Sequence, residues 1–159
     1  MRRAFSELIV EFGERDKSVV LLCGDFGYGV VDEFARRFPE RFFNMGICEQ
    51  SMIGAASGMA LVGLKPWVYT ITPFLIERPF EQLKLDIDQQ NVNVKLVGYA
   101  DYPEQGPTHA EIDAFALMAM FENIVSYYPT GMDDTEAALW AMYQQNGPSF
   151  ISLKKHKGG

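Results

Sequence analysis

The sequence predicts an α/β fold of three layers, α/β/α, with a mainly parallel sheet between two layers of helices. Three observations predict it. Val19–Cys23 is apolar at every position, as a strand buried on both faces must be. Runs of this kind alternate along the chain with segments of helical periodicity. A strand followed by a helix, repeated, builds βαβ units whose strands lie parallel. At 159 residues the chain is read as one domain, residues 1–159, long enough to bury a substantial core.

The elements follow in order. Phe5, Leu8, Ile9 and Phe12 carry the spacing of an amphipathic helix over about 3–14. A strand at 18–23 runs into the Gly-rich turn Gly24-Asp25-Phe26-Gly27-Tyr28-Gly29. Residues 31–38 predict a short helix stopped by Pro39, and 41–45 a short strand. A helix over 49–62 is rich in small residues, which let another backbone or a ligand approach closely. Then come a strand at 66–71, a helix at about 77–90 and a strand at 92–99. A Pro/Gly loop over 100–108 leads to a helix at about 110–120, a strand at 124–127, a helix at 133–145 and a strand at 149–153. In such sheets ligands bind beyond the carboxyl ends of the strands. Asp25, Glu49, Phe74 and the loop ending at His109 all fall there.

Composition excludes several function classes. A net charge of −7 argues against nucleic acid as a partner. The basic cluster Lys154, Lys155, His156, Lys157 reads first as a solvated tail and second as an aid to a phosphate or acidic substrate. No apolar run approaches the roughly 20 residues of a membrane span, and the first residues lack a signal-peptide core, so a cytoplasmic location is expected. Cys23 and Cys48, far apart in apolar surroundings, read as reduced core residues, not as a disulfide or a metal pair. The Gly24–Gly29 turn does not have dinucleotide-fingerprint spacing.

Three segments carry chemistry. The first runs Asn44-Met45-Gly46-Ile47-Cys48-Glu49-Gln50 into the small-residue helix. The second is Pro73-Phe74-Leu75 followed by Arg78-Pro79-Phe80-Glu81-Gln82. The third is Gly106-Pro107-Thr108-His109, with Ile112 and Asp113 beyond it. Singly each has a bland reading: a Glu at a helix start answers the helix dipole, and a Pro/Gly tetrapeptide is a turn. Together, in this order and spacing, they resemble the pyrimidine-binding domain of transketolase-type thiamin diphosphate enzymes, over nearly the whole chain.

The resemblance implies residue roles. Glu49 matches the glutamate that bonds N1′ of the cofactor's aminopyrimidine and so promotes loss of the thiazolium proton. Phe74 matches the aromatic wall of the pyrimidine pocket; Phe80 is a second candidate wall or a core residue. Ile47 falls on the cofactor side of the same segment. Asp25 matches an acidic residue near the cofactor, or is simply a turn-former before glycines. His109 matches the histidine that faces substrate, where an imidazole can donate to a sugar hydroxyl or move a proton; the alternative is structural capping. Gln105 stands where sugar-phosphate transketolases carry Asp, so it offers an amide without charge. Arg78 corresponds, with a one-residue shift, to a substrate-side arginine of deoxyxylulose-phosphate synthases. Arg3 and Lys155 are aligned with phosphate-contacting arginines, Lys155 without bidentate geometry.

The family's Mg2+ or Ca2+ site belongs to a separate domain with a "GDG…N" pattern, which these 159 residues lack. The resemblance therefore implies thiamin diphosphate shared with a GDG-containing, transketolase N-terminal-type partner, with no metal ligand in this chain. It also implies a homodimer alone or a heterotetramer with the partner, through an exposed apolar face to which residues 49–62 and 71–80 contribute. The expected activity is transfer of a two-carbon ketol unit between sugars or sugar-like substrates. Alternatives are a 1-deoxyxylulose-5-phosphate-synthase-like condensation, a 2-oxoacid dehydrogenase β-subunit role, or a non-catalytic interaction domain of the same fold. A receiver-like signalling domain would need more acid at the first strand end than Asp25.

Overall fold

The computed structural model describes residues 1–100, 102–110 and 113–153. The chain begins with helix α1 (Arg2–Arg15), strand β1 (Val19–Cys23) and helix α2 (Asp32–Arg37). Strand β2 (Phe42–Asn44), helix α3 (Glu49–Leu61) and strand β3 (Lys65–Ile71) follow. The one-turn helix α4 (Thr72–Ile76) precedes α5 (Phe80–Gln82), which widens into a π-helical turn over Leu83–Asp88. Strand β4 (Lys95–Tyr99), helix α6 (Ala114–Met118), strand β5 (Val125–Tyr127), helix α7 (Met132–Gln144) and strand β6 (Ser149–Leu153) complete it.

The six strands form one sheet in the order β2-β1-β3-β4-β6-β5, and every pairing is parallel. Alternate residues of each strand feed opposite faces. Leu21, Trp67, Tyr69, Val97 and Ile151 pack with Phe5, Phe12, Phe34 and Leu139 of α1, α2 and α7. Leu22, Val68, Leu96 and Phe150 face the other way, onto Met52, Ile53, Leu75, Leu83, Ile87 and Met118 of α3–α6. This double coverage explains why β1, β4 and β6 are buried at every position.

The structure departs from the sequence reading in five places. The helix expected over 77–90 is broken. Pro73 starts α4 a turn early, and Pro79, without an N–H, separates it from α5. The π turn leaves the Asp86 carbonyl to accept from the Ser57 hydroxyl of α3 at 2.8 Å. Of the helix expected over 110–120, the described residues form α6, with Glu111 and Ile112 outside them; Asp113 caps it by accepting from the Ala116 N–H at 3.1 Å. The ladder of β4 begins at Lys95, not 92, where it pairs with Trp67 of β3 on one side and Ser149 of β6 on the other. Cys23 is buried as expected, but Cys48 is exposed, since it is the residue that turns the chain into α3.

The apolar face differs from expectation in its second segment, 71–80, but not in its first, 49–62. Leu61 and Val62 at the end of α3 are 63% and 79% exposed. Ile71, Thr72, Pro73, Leu75 and Ile76 are instead buried against the sheet.

Candidate functional site

Because all strands run one way, the loops after β1, β2, β3 and β4 meet at one edge of the sheet. Two non-glycine residues there adopt positive φ: Asp25 (50°) after β1 and Ala100 (45°) after β4. Left-handed backbone costs an alanine about 1–2 kcal/mol, and such strain gathers at functional sites. Asn44, at the end of β2, ties these loops together. Its side-chain oxygen accepts from the Asp25 N–H at 3.1 Å and the Gly46 N–H at 3.0 Å, and its amide donates to the Asp25 carboxylate at 3.2 Å. Asn44 thereby fixes the turn that delivers Ile47, Cys48 and Glu49.

Glu49 is the first residue of α3 and only 4% exposed. A buried carboxylate needs compensation. The helix N-terminus gives some, and Arg78 supplies a direct bond, Nη1 to Oε1 at 2.9 Å. The Arg78 side chain is 34% exposed, and its guanidinium carbon lies 3.2 Å from the centre of the Phe74 ring. Phe74 in turn meets His109 edge-on, with ring centres 4.8 Å apart. His109 is positioned by its backbone carbonyl, which accepts from the Tyr102 N–H at 2.7 Å, and by the Thr108 hydroxyl, 3.1 Å from its Nδ1. Glu49, Arg78, Phe74 and His109 thus form a continuous chain of contacts drawn from the three segments that follow β2, β3 and β4.

The other predicted residues stand apart from this chain. Ile47 is exposed on the loop two residues before Glu49. Asp25 is exposed and bound to Asn44; an open cleft of about 320 Å³ lies over it, Phe26 and Asn44. Gln105 is exposed at the end of the short 3-10 segment Pro103–Gln105. Phe80 turns to Phe121, with ring centres 5.3 Å apart, in the α3–α6 core. It borders a cleft of about 500 Å³ with Lys84, Asp88 and Asn123 that includes neither Glu49 nor His109. Arg3 is exposed and paired with Glu7 at 2.8 Å. Arg2 turns inward instead, its guanidinium 4.5 Å from the centre of the Tyr99 ring at the carboxyl end of β4. Lys155 lies outside the described residues.

Sequence reasoning did not single out Asn44 or Arg2. Asn44 carried a usable signal: an Asn two residues before a glycine forms an Asx turn. Arg2 and Arg3 are indistinguishable until the helix phase is known. Among the described residues no group of three or more His, Cys, Asp or Glu side chains could hold a metal ion. Among them, too, no helix is long and apolar enough to cross a membrane.

Residues 1–159 match the family model for the transketolase pyrimidine-binding domain. The chain belongs to that family. A transketolase C-terminal section from Methanocaldococcus jannaschii is 30% identical over 98% of this transketolase-family chain and 50% of its own length. One of the subunits of an apulose-4-phosphate transketolase from Actinobacillus succinogenes is 37% identical over 76% of the chain and 40% of its own length. The 1-deoxy-D-xylulose-5-phosphate synthase of Acinetobacter baumannii is 37% identical over 97% of the chain, but 24% of its own length. A solved split-gene transketolase, an inactive β4 tetramer, superposes with a TM-score of 0.86 at 33% identity, over 96% of this chain and 50% of that one. This chain therefore spans half or less of the length of these relatives. The family is one of thiamin diphosphate-dependent transferases. Glu49 and Phe74 would suit a cationic heteroaromatic ring: a buried carboxylate to accept from a ring N–H, and an aromatic face.

Proposed function

We propose that this chain is the pyrimidine-binding subunit of a split, transketolase-like enzyme that transfers a two-carbon ketol unit between sugars or sugar-like substrates. The observation that carries the proposal is Glu49, buried at the start of α3 and linked through Arg78 and Phe74 to His109. Thiamin diphosphate, when bound, supplies the carbon nucleophile. Glu49 would accept the hydrogen bond of the aminopyrimidine N1′, Phe74 would wall that ring, and His109 would face the substrate. The diphosphate and its Mg2+ or Ca2+ would be held by a GDG-containing partner subunit. The exposed Leu61 and Val62 support burial of the α3 end in an assembly, as a homodimer alone or a heterotetramer with the partner, in the cytoplasm.

In the reconstituted pair, Glu49→Ala should abolish deuterium exchange at the cofactor's thiazolium carbon while the complex still assembles. Unchanged exchange would remove Glu49 from the reaction. A second reading, a 1-deoxyxylulose-5-phosphate-synthase-like condensation, is favoured by the 37% identity to the Acinetobacter enzyme. Offering the same pair ketose donors and, separately, pyruvate separates the two: the ketol-transfer reading expects turnover with the ketoses.

A further inference from the structure

Resting on the thiamin reading of this site, we infer that Arg78 is the resident occupant of the ring pocket: its guanidinium holds the place of the aminopyrimidine, and the ring enters only by displacing it. The two groups are chemically alike. A guanidinium is planar, delocalised and cationic, with N–H donors in its plane and a face that stacks on aromatics. A protonated aminopyrimidine has the same properties.

The geometry makes the overlap explicit. Arg78 donates to Glu49 Oε1 at 2.9 Å, and its guanidinium carbon lies 3.2 Å from the Phe74 ring centre. A second ring would need a separation of about 3.5 Å from that face, so none fits between guanidinium and Phe74. The two residues offered to the cofactor ring are therefore both in use.

Displacement needs only the side chain to swing. Pro79 restricts the backbone of Arg78, and the Arg78 carbonyl accepts from the Gln50 amide at 3.3 Å. At 34% exposure, the side chain is already partly in solvent. Holding the pocket this way keeps Glu49 from being a lone buried charge before the cofactor arrives. It also makes the ring compete for its own site, so retention comes to depend on whatever grips the diphosphate.

The test is titration of the 15N-labelled full chain with 4-amino-5-hydroxymethyl-2-methylpyrimidine, followed by NMR. In wild type, the Arg78 Nε–Hε resonance should move along the same isotherm as the Glu49 amide. Arg78→Met should bind the pyrimidine about five- to thirtyfold more tightly. Should Arg78→Met fold poorly, Arg78→Lys decides, since an ammonium can pair with Glu49 but cannot lie flat on Phe74; it too should bind more tightly than wild type. Equal or weaker binding by the folded variants overturns this inference alone, because wild-type binding would still support the pyrimidine reading. No binding by any chain up to the solubility limit overturns the inference and the thiamin reading together.

Discussion

Lys95 lies 1% exposed inside β4, with its ammonium donating to the carbonyls of Gln145 at 2.9 Å and Gly147 at 2.7 Å. It thus ties down the turn that follows α7, where chain leaving a helix must find partners for its carbonyls. Burial, with a smaller push from Lys65, lowers its pKa from 10.5 to about 7. Between those values the unfolded chain binds a proton that the folded chain has released. The sign follows: folded stability contributed by this site rises with pH from about 7 to about 10.5, and falls as the pH drops back. Urea midpoints at pH 7 and pH 9 should show the rise, and Lys95→Met should flatten it. At the same scale, Asp16 is held below the usual carboxylate range: its burial is outweighed by hydrogen bonds from Lys65 and Ser18. A strand lysine bound to the carbonyls of the turn after α7 could not be read from sequence, since it requires residues 50 and 52 positions apart to meet.

At the scale of elements, α4 is the part on which the site depends, because it carries Phe74 and leads to Arg78. It sits tightly on β4. A Cβ added at Gly98 would come within 2.7 Å of the Thr72 hydroxyl and 3.1 Å of the Thr72 Cα. Backbone cannot yield as a side-chain tip can, so Gly98→Ala should push α4 off the sheet and cost about 1–3 kcal/mol. Chemical denaturation would measure the loss, and broadened Phe74 and His109 resonances would report the displaced helix. The π turn after α5 is fixed by a second device. The Asp88 carboxylate accepts from the backbone N–H groups of Glu122 (3.3 Å), Asn123 (2.7 Å) and Ile124 (3.2 Å). Asp88→Ala should therefore cost about 1–3 kcal/mol, chiefly by leaving the buried Ile124 N–H unpaired. Periodicity placed helical residues on both sides of Pro79 but gave no sign of the joint there, because apolar spacing reports a helix's buried face, not its continuity. It placed β1, β3 and β6 to within a residue or two, because strands covered on both faces leave an apolar run that needs no tertiary information.

For the whole molecule, the parallel sheet puts the loops that carry Glu49, Phe74 and His109 at one edge, and the chain spans half or less of its relatives' length. The proposed division of labour predicts that the purified chain binds thiamin diphosphate weakly, since the cofactor's charged tail would find its anchor elsewhere. Calorimetry giving micromolar affinity for the chain alone would contradict a shared site. Adding a GDG-containing partner should restore tight, metal-dependent binding.

The letters of the sequence by themselves determined the layered α/β fold, the family, and the edge of the sheet at which Glu49, Phe74 and His109 gather. Apolar runs, helical periods and short motifs are local, and parallel topology sends every strand end to the same side. Only the tertiary structure decided that Arg78 lies across Phe74 on Glu49, that Asn44 braces Asp25, that Phe80 belongs to the core, and that Arg2 turns inward while Arg3 faces solvent. Each of those outcomes depends on which side chains of distant segments share a few ångströms of space, and that is set by packing, not by spacing along the chain.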